Sequence, residues 1–130
     1  MSTFVKGVSD NWVLIDSNAD FTDYYLQDSV KRENHTIKVW VKRVHNQTKE
    51  KFDLIKLHID SSNNLDIINH SLILYSFDYI EYIYCIDRLL HYNDAGVLLV
   101  SVNISPECKE IKSNSEVEFI FNQIINKLYH

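Results

Sequence analysis

The chain reads as an α+β protein, an antiparallel sheet of about six strands with a C-terminal α-helix packed on one face. Three observations predict this. Residues 35–44 alternate apolar and polar side chains with the period of two that marks a half-buried strand. Residues 77–92 are apolar on both alternating sets, as in a central strand covered on each side. Residues 115–128 place Val117, Ile120, Phe121, Ile124, Ile125 and Leu128 on one stripe of a helix.

Taken in order, Trp12-Val13-Leu14-Ile15-Asp16 reads as a first strand and Ser17-Asn18-Ala19-Asp20 as a turn. Tyr24-Tyr25-Leu26 reads as a short second strand that ends at Gln27-Asp28-Ser29. In the third, Ile37, Val39 and Val41 alternate with Lys38, Trp40 and Lys42, and Trp40 on the lysine side predicts that this face is not fully wet. Residues 49–59 admit two readings. Phe52, Ile55 and Ile59 have helical spacing, whereas Asp53, Ile55, Leu57 and Ile59 alternate; the helix is preferred. Ser61-Ser62-Asn63-Asn64 is a loop, and residues 65–75 read as a helical turn or an irregular connection.

Within 77–92, Ile80, Tyr82, Tyr84, Ile86 and Leu90 form one set, and Phe77, Tyr79, Ile83, Cys85 and Leu89 the other. Asn93-Asp94-Ala95-Gly96 is a hairpin turn with Gly96 suited to a left-handed position, and Val97–Val102 is the return strand. Two overlapping capping boxes announce the terminal helix, Ser113 with Glu116 and Ser115 with Glu118. The apolar stripe of that helix needs a partner, and the simplest is one face of the sheet.

The chain has 130 residues, the length of one domain spanning 1–130, and such a chain buries roughly two-thirds of its unfolded surface. A core is therefore within reach without metals or several disulfides. The net charge is −5 with the acids scattered, which argues against nucleic acid, whose phosphates need a basic stripe, and against docking on an anionic membrane. Gly7 and Gly96 are the only two glycines, too few for a phosphate-binding loop or a dinucleotide fingerprint. The opening Met1-Ser2-Thr3-Phe4-Val5-Lys6 lacks the apolar segment of a signal peptide, and no apolar run reaches the length of a membrane span. The two cysteines, Cys85 and Cys108, permit one disulfide or two free thiols.

No catalytic, cofactor-binding or metal-binding residue stands out. No pair among His35, His45, His58, His70, His91 and His130 has the i, i+4 spacing of a helical zinc site, and Cys85 and Cys108 lack a CxxC partner. Solvated or hydrogen-bonded histidines are the plainer reading. Cys85 lies mid-strand among Tyr and Ile, where a thiol is inert or bridged rather than nucleophilic. Glu81 with Asp87, or Glu107 with Glu110, sit in no recognisable acid–base context, and Asp87-Arg88 better suits surface charge pairing. Tyr79, Tyr82, Tyr84 and Tyr92 suit the lining of a sheet beneath a helix, and secondarily a dimer or ligand surface. The Asn-x-Ser/Thr triplets at Asn34, Asn46, Asn69 and Asn103 are what chance gives in an Asn-rich chain.

The order of these residues resembles the bacterial surface-adhesin protein E family. Trp12-Val13-Leu14-Ile15 matches its opening strand, and Tyr24-Tyr25-Leu26 with Ser29-Val30-Lys31-Arg32 its YY-x-D-x-x-S-I-x-R segment. Ile37-Lys38-Val39-Trp40-Val41-Lys42 matches V-x-V-W-V-K, and Glu81-Tyr82-Ile83-Tyr84-Cys85 the strand that ends in a cysteine. Arg88-Leu89-Leu90, Tyr92 and Gly96 match its hairpin, and Ser115 with Glu118 the start of its helix. The chain departs from the family at Ile125, near the place of a helical cysteine that ties the helix to the strand cysteine. It departs again near Ser113, where a Pro is usual, and in lacking the usual Trp and the export signal.

The resemblance implies a non-enzymatic, extracytoplasmic, adhesin-like binding module with no cofactor, an unidentified protein partner, and self-association as a homodimer. The alternative is a cytoplasmic acidic interaction protein of the immunity type, capping a basic partner electrostatically. A third reading is a ligand pocket lined by tyrosines between helix and sheet.

Overall fold

The computed structural model describes residues 11–46, 68–103 and 108–128. They form strands β1 (Trp12–Ser17), β2 (Phe21–Leu26), β3 (Lys31–Glu33), β4 (Thr36–His45), β5 (His70–Asp78), β6 (Ile83–Tyr92), β7 (Leu98–Asn103) and β8 (Lys109–Glu110), followed by helix α1 (Glu116–Leu128). The sheet is antiparallel, with a main path β1-β2-β4-β5-β6-β7; β3 adds to β4 and β8 to β6. Among the described residues the strands number eight, somewhat more than the about six expected, because two short strands add to the ladders of β4 and β6. The helix 49–59, the loop 61–64, the opening segment, His58, Glu107 and His130 lie outside the described residues.

Local chemistry sets the turns. Asn18 Oδ1 accepts from the N–H groups of Asp20 and Phe21 at 2.8 and 3.0 Å, and so starts β2 three residues before Tyr24. Asn34, at φ 55°, closes the β3–β4 hairpin, a left-handed position that asparagine tolerates well. Gly96, at φ 83°, donates its N–H to Asn93 O at 3.0 Å in the expected hairpin turn, and the return strand begins at Leu98.

Two expectations need correction. Residues 70–75 are strand β5, neither helical turn nor irregular connection. Ser71, Ile73, Tyr75 and Phe77 are buried on one face, while His70, Leu72 and Leu74 are half-buried on the other. With apolar side chains on both faces, the period of two does not show.

The single central strand over 77–92 is likewise the end of β5, a turn, and β6. Asp78 Oδ1 accepts from the N–H groups of Ile80 and Glu81 at 3.0 and 2.9 Å, and Tyr82 adopts φ 58°. A turn made by Asp and Tyr without Gly or Pro carries little signature. Glu81 therefore sits in the turn and not on a strand face with Asp87. A bulge in β6 leaves Asp87 without a partner between Leu74↔Arg88 and Tyr75↔Ile86. The bulge switches phase, so Tyr84 and Ile86 share a face with Leu89 and His91. That is why both alternating sets of the segment are apolar.

Helix α1 covers the sheet face bearing Ile37, Val39 and Val41 of β4, Ile73, Tyr75 and Phe77 of β5, and Leu89 of β6. Ile120, Phe121 and Ile124 are buried there. Phe121 tilts against Phe77 at 5.3 Å and meets Tyr82 edge-on at 5.7 Å between ring centroids, geometries that aromatic quadrupoles favour. Of the two capping boxes, Ser115 with Glu118 is used. Ser115 Oγ accepts from the Glu118 N–H at 3.1 Å, and Glu118 Oε1 from the Asn114 N–H at 2.8 Å. Glu116 reaches across to Arg43 instead of returning to Ser113.

Cys85 and Cys108 are bridged. The β6–β8 register pairs Tyr84 with Lys109 and Ile83 with Glu110, so the next pair outward is Cys85 with Cys108. Their Cα separation of 4.3 Å is that of directly facing antiparallel residues. The bridge fastens the segment leading into the helix, where the resembled family fastens the helix itself. Ile111, 2% exposed, then enters the core and donates its N–H to Tyr82 O at 3.0 Å.

Candidate functional site

The helix-side face carries a polar row that the sequence reading did not foresee. The pairing places Asp23 of β2 opposite Arg43 of β4, Arg43 opposite Ser71 of β5, and Ser71 opposite His91 of β6. Asp23 is 1% exposed and Arg43 5%. Arg43 Nε and Nη2 donate to the two Asp23 oxygens at 2.8 Å each, and Nη2 also reaches Glu116 Oε1 at 3.3 Å. The guanidinium lies over the Phe21 ring, 3.7 Å from its centroid. Burial pushes the Asp23 carboxyl above its ordinary range, against the pull of Arg43. Burial alone would lower Arg43, but the bonds and charge of Asp23 carry it above its ordinary value. Donation to both oxygens fits an ionised carboxylate.

Beside this pair, Ser71 Oγ stands between His45 Nε2 at 2.9 Å and His91 Nδ1 at 2.6 Å. A hydroxyl between imidazoles is a residue set that hydrolases use, but the arrangement differs from a working triad. Asp23 spends both oxygens on Arg43 and neither on a histidine, and Ser71 and His91 are fully buried. A substrate carbonyl has no route to that hydroxyl. The row instead links β2, β4, β5 and β6 to the start of α1 through hydrogen bonds inside the sheet–helix layer.

The sequence carried a signal for half of it. Arg43 falls on the same alternation as Ile37, Val39 and Val41, hence on the buried side, where a charge requires a partner.

The remaining candidates fall elsewhere. His35 Nδ1 lies 3.0 Å from Asp78, and His70 stacks on Tyr92 at 5.0 Å and 7°. Burial, then the charge of Lys42, lowers the His70 pKa. Asp87 accepts from Ser76 Oγ and meets Lys38 at 3.6 Å, while Arg88 donates to Ser101. Tyr82 donates to Glu118 Oε2 at 2.7 Å and Tyr79 to Asn34 O at 2.9 Å; with Tyr84 and Tyr92 they are half-buried. Among the described residues no three His, Cys, Asp or Glu side chains gather to hold a metal ion. No described helix is long and apolar enough to cross a membrane. A groove of about 450 Å³ lies between Tyr84, Lys109, Glu110 and the helix start at Ser115 and Val117, and one of about 80 Å³ between Tyr25, Val30 and Ile124.

The face away from the helix has a different character. Its side chains are the even-numbered residues of β4 and those paired with them. One row runs Leu14, Tyr24, Lys42, Leu72, Leu90 across five strands. Trp40 with Leu74 and Arg88 lies in the next row. Lys42 Nζ stands 5.6 Å from the Trp12 ring centroid and 6.0 Å from that of Tyr24, within cation–π range. Trp12, Tyr24, Trp40, His70 and Tyr92 are each half-buried. No protein-family model matches this chain, and no curated protein sequence matches it.

Proposed function

We propose that this chain is a non-enzymatic, extracytoplasmic binding module of the surface-adhesin protein E type. The observation that carries the reading is the Cys85–Cys108 bridge, which joins facing strand residues and leaves no free thiol among the described residues. Disulfides form and persist in oxidising compartments, and reducing cytoplasm keeps such thiols apart. The same bridge weighs against the alternative of a cytoplasmic immunity-type protein.

Among the described residues, core side chains fill the layer between sheet and helix, and the cluster of His45, Ser71 and His91 is buried. Binding is then left to outer surfaces. The aromatic face away from the helix is the best of these, since Trp and Tyr side chains dominate interface energetics. Self-association is assigned to β7, an edge strand among the described residues, whose Leu98, Leu99, Val100 and Val102 carry no charge to repel a second strand.

The test is location. Antibody or protease added to intact source cells should reach the native gene product, and fractionation should place it outside the inner membrane. Recovery in the cytoplasm alone, out of reach of external protease, contradicts the reading.

A further inference from the structure

We propose, resting on the binding-module reading, that the sheet face opposite the helix is a docking platform for a uronic-acid polysaccharide. Lys38, Trp40 and Lys42 lie two residues apart on one strand, so all three project from that face, with a lysine on each side of Trp40 along the strand. The flat, apolar face of a pyranose ring stacks on an indole, and a carboxylate on that sugar then falls within reach of either lysine. Continuing the β2–β4 pairing by one step sets Trp12 and Trp40 in the same row with Leu26 between them. Two inter-strand steps separate the backbones of Trp12 and Trp40, roughly 10 Å. Two linked sugars span such a gap, so a chain lying across the strands meets a ring at every second sugar. The same row leads on through Leu74 to Arg88, a further cation for the next carboxylate.

Charge selects among anionic polymers. Asp87 lies 3.6 Å from Lys38, and Glu33, Asp78 and Glu110 occupy the row at the Thr36 end of the face. The cations are therefore sparse, on a chain whose net charge is −5. A nucleic acid, with a phosphate at every residue, gains too little from so few cations. A polymer with one carboxylate per disaccharide matches their spacing. Lys42, already held over Trp12 and Tyr24, is oriented before the ligand arrives and loses less freedom on binding.

The experiment titrates the folded chain with a hyaluronan decasaccharide, with a neutral chitin oligosaccharide and oligo(dT) as comparisons, following tryptophan fluorescence and heat. The decasaccharide is expected to bind with an affinity that falls as salt rises, and the other two to bind much more weakly. The K38Q/K42Q variant is expected to stay folded, as its cooperative urea transition reports, and to lose affinity on the order of tenfold, about 1.4 kcal/mol. Trp40→Phe retains most of the affinity and Trp40→Leu loses it by a similar factor. Absence of decasaccharide binding, equal binding of the neutral sugar or of oligo(dT), or indifference to K38Q/K42Q overturns the proposal. A protein found at the cell surface that fails this titration loses the ligand class and keeps the binding-module reading; one confined to the cytoplasm loses both.

Discussion

Replacing Asp23 by Ala isolates the buried charge pair on which the helix side of the sheet depends. Asp23 supplies two of the hydrogen bonds to Arg43, both at 2.8 Å, and both side chains are almost wholly enclosed. A second acidic partner, Glu116, reaches Arg43 at 3.3 Å from a side chain that is 60% exposed, so solvent screens it. Removal of Asp23 strips the buried guanidinium of its bidentate carboxylate, and breaking a buried pair in this way costs about 3–5 kcal/mol. That is a large part of the 5–15 kcal/mol or so that holds a domain folded. The double variant D23L/R43M removes both charges and fills a similar volume, so it should lie within about 1 kcal/mol of wild type or above it. Urea unfolding followed by circular dichroism, with the slope unchanged, measures all three. A loss below about 1 kcal/mol in D23A, the range of an exposed pair, refutes the argument. So does a double variant less stable than D23A, since the penalty would then not come from breaking the buried pair.

Three further outcomes follow from the same structure. Phe121→Ala removes the ring that packs on Phe77 and Tyr82 and should cost about 3–5 kcal/mol in urea unfolding, the range for an aromatic deleted from a core. The C85S/C108S variant opens a closure of 23 residues and should lose about 3 kcal/mol. For a chain of this size that loss lowers the melting temperature by roughly 10 °C in calorimetry. Glu118 is held below its ordinary pKa by the Asn114 N–H and the Tyr82 hydroxyl. A depressed carboxyl contributes stability that is present above its unfolded pKa of 4.5 and is lost as pH falls through the lower folded value. E118Q should therefore flatten the acid side of the stability–pH curve, and an unchanged acid slope would count against the cap.

Where one face of an element meets solvent, its period was legible in the sequence. Strand β4 and helix α1 are of this kind, and so are the Asn93–Gly96 turn and the Ser115–Glu118 cap, each set by local chemistry. Strand β5 was hidden because Leu72 and Leu74 on one face match Ile73 and Tyr75 on the other. The β5–β6 turn was hidden because Asp78 and Tyr82 make it without Gly or Pro. The Asp87 bulge then mixed the two faces of β6. Short strands β3 and β8 owe their existence to the ladders of β4 and β6, which no local pattern reveals.

The polar row was legible only in part. Arg43 could be placed inward by counting from Val41, whereas its partner Asp23 depends on the register of β2 against β4. Ser71 and His91 meet only because β5 and β6 pair. The cysteines show the same limit, since their pairing follows from β8 aligning on β6. Candidate chemistry thus appears in the sequence as residue types, while its closure from solvent appears only once the strands are aligned.

The redox state of the Cys85–Cys108 bond in the native setting decides most directly between the two compartments. Source cells quenched in acid and treated with a maleimide of high mass, before and after a chemical reductant, report Cys85 and Cys108 by a gel shift. The expected result is no shift before reduction and a two-thiol shift afterwards. A two-thiol shift before reduction contradicts it, for the protein would then reside where the bridge does not form.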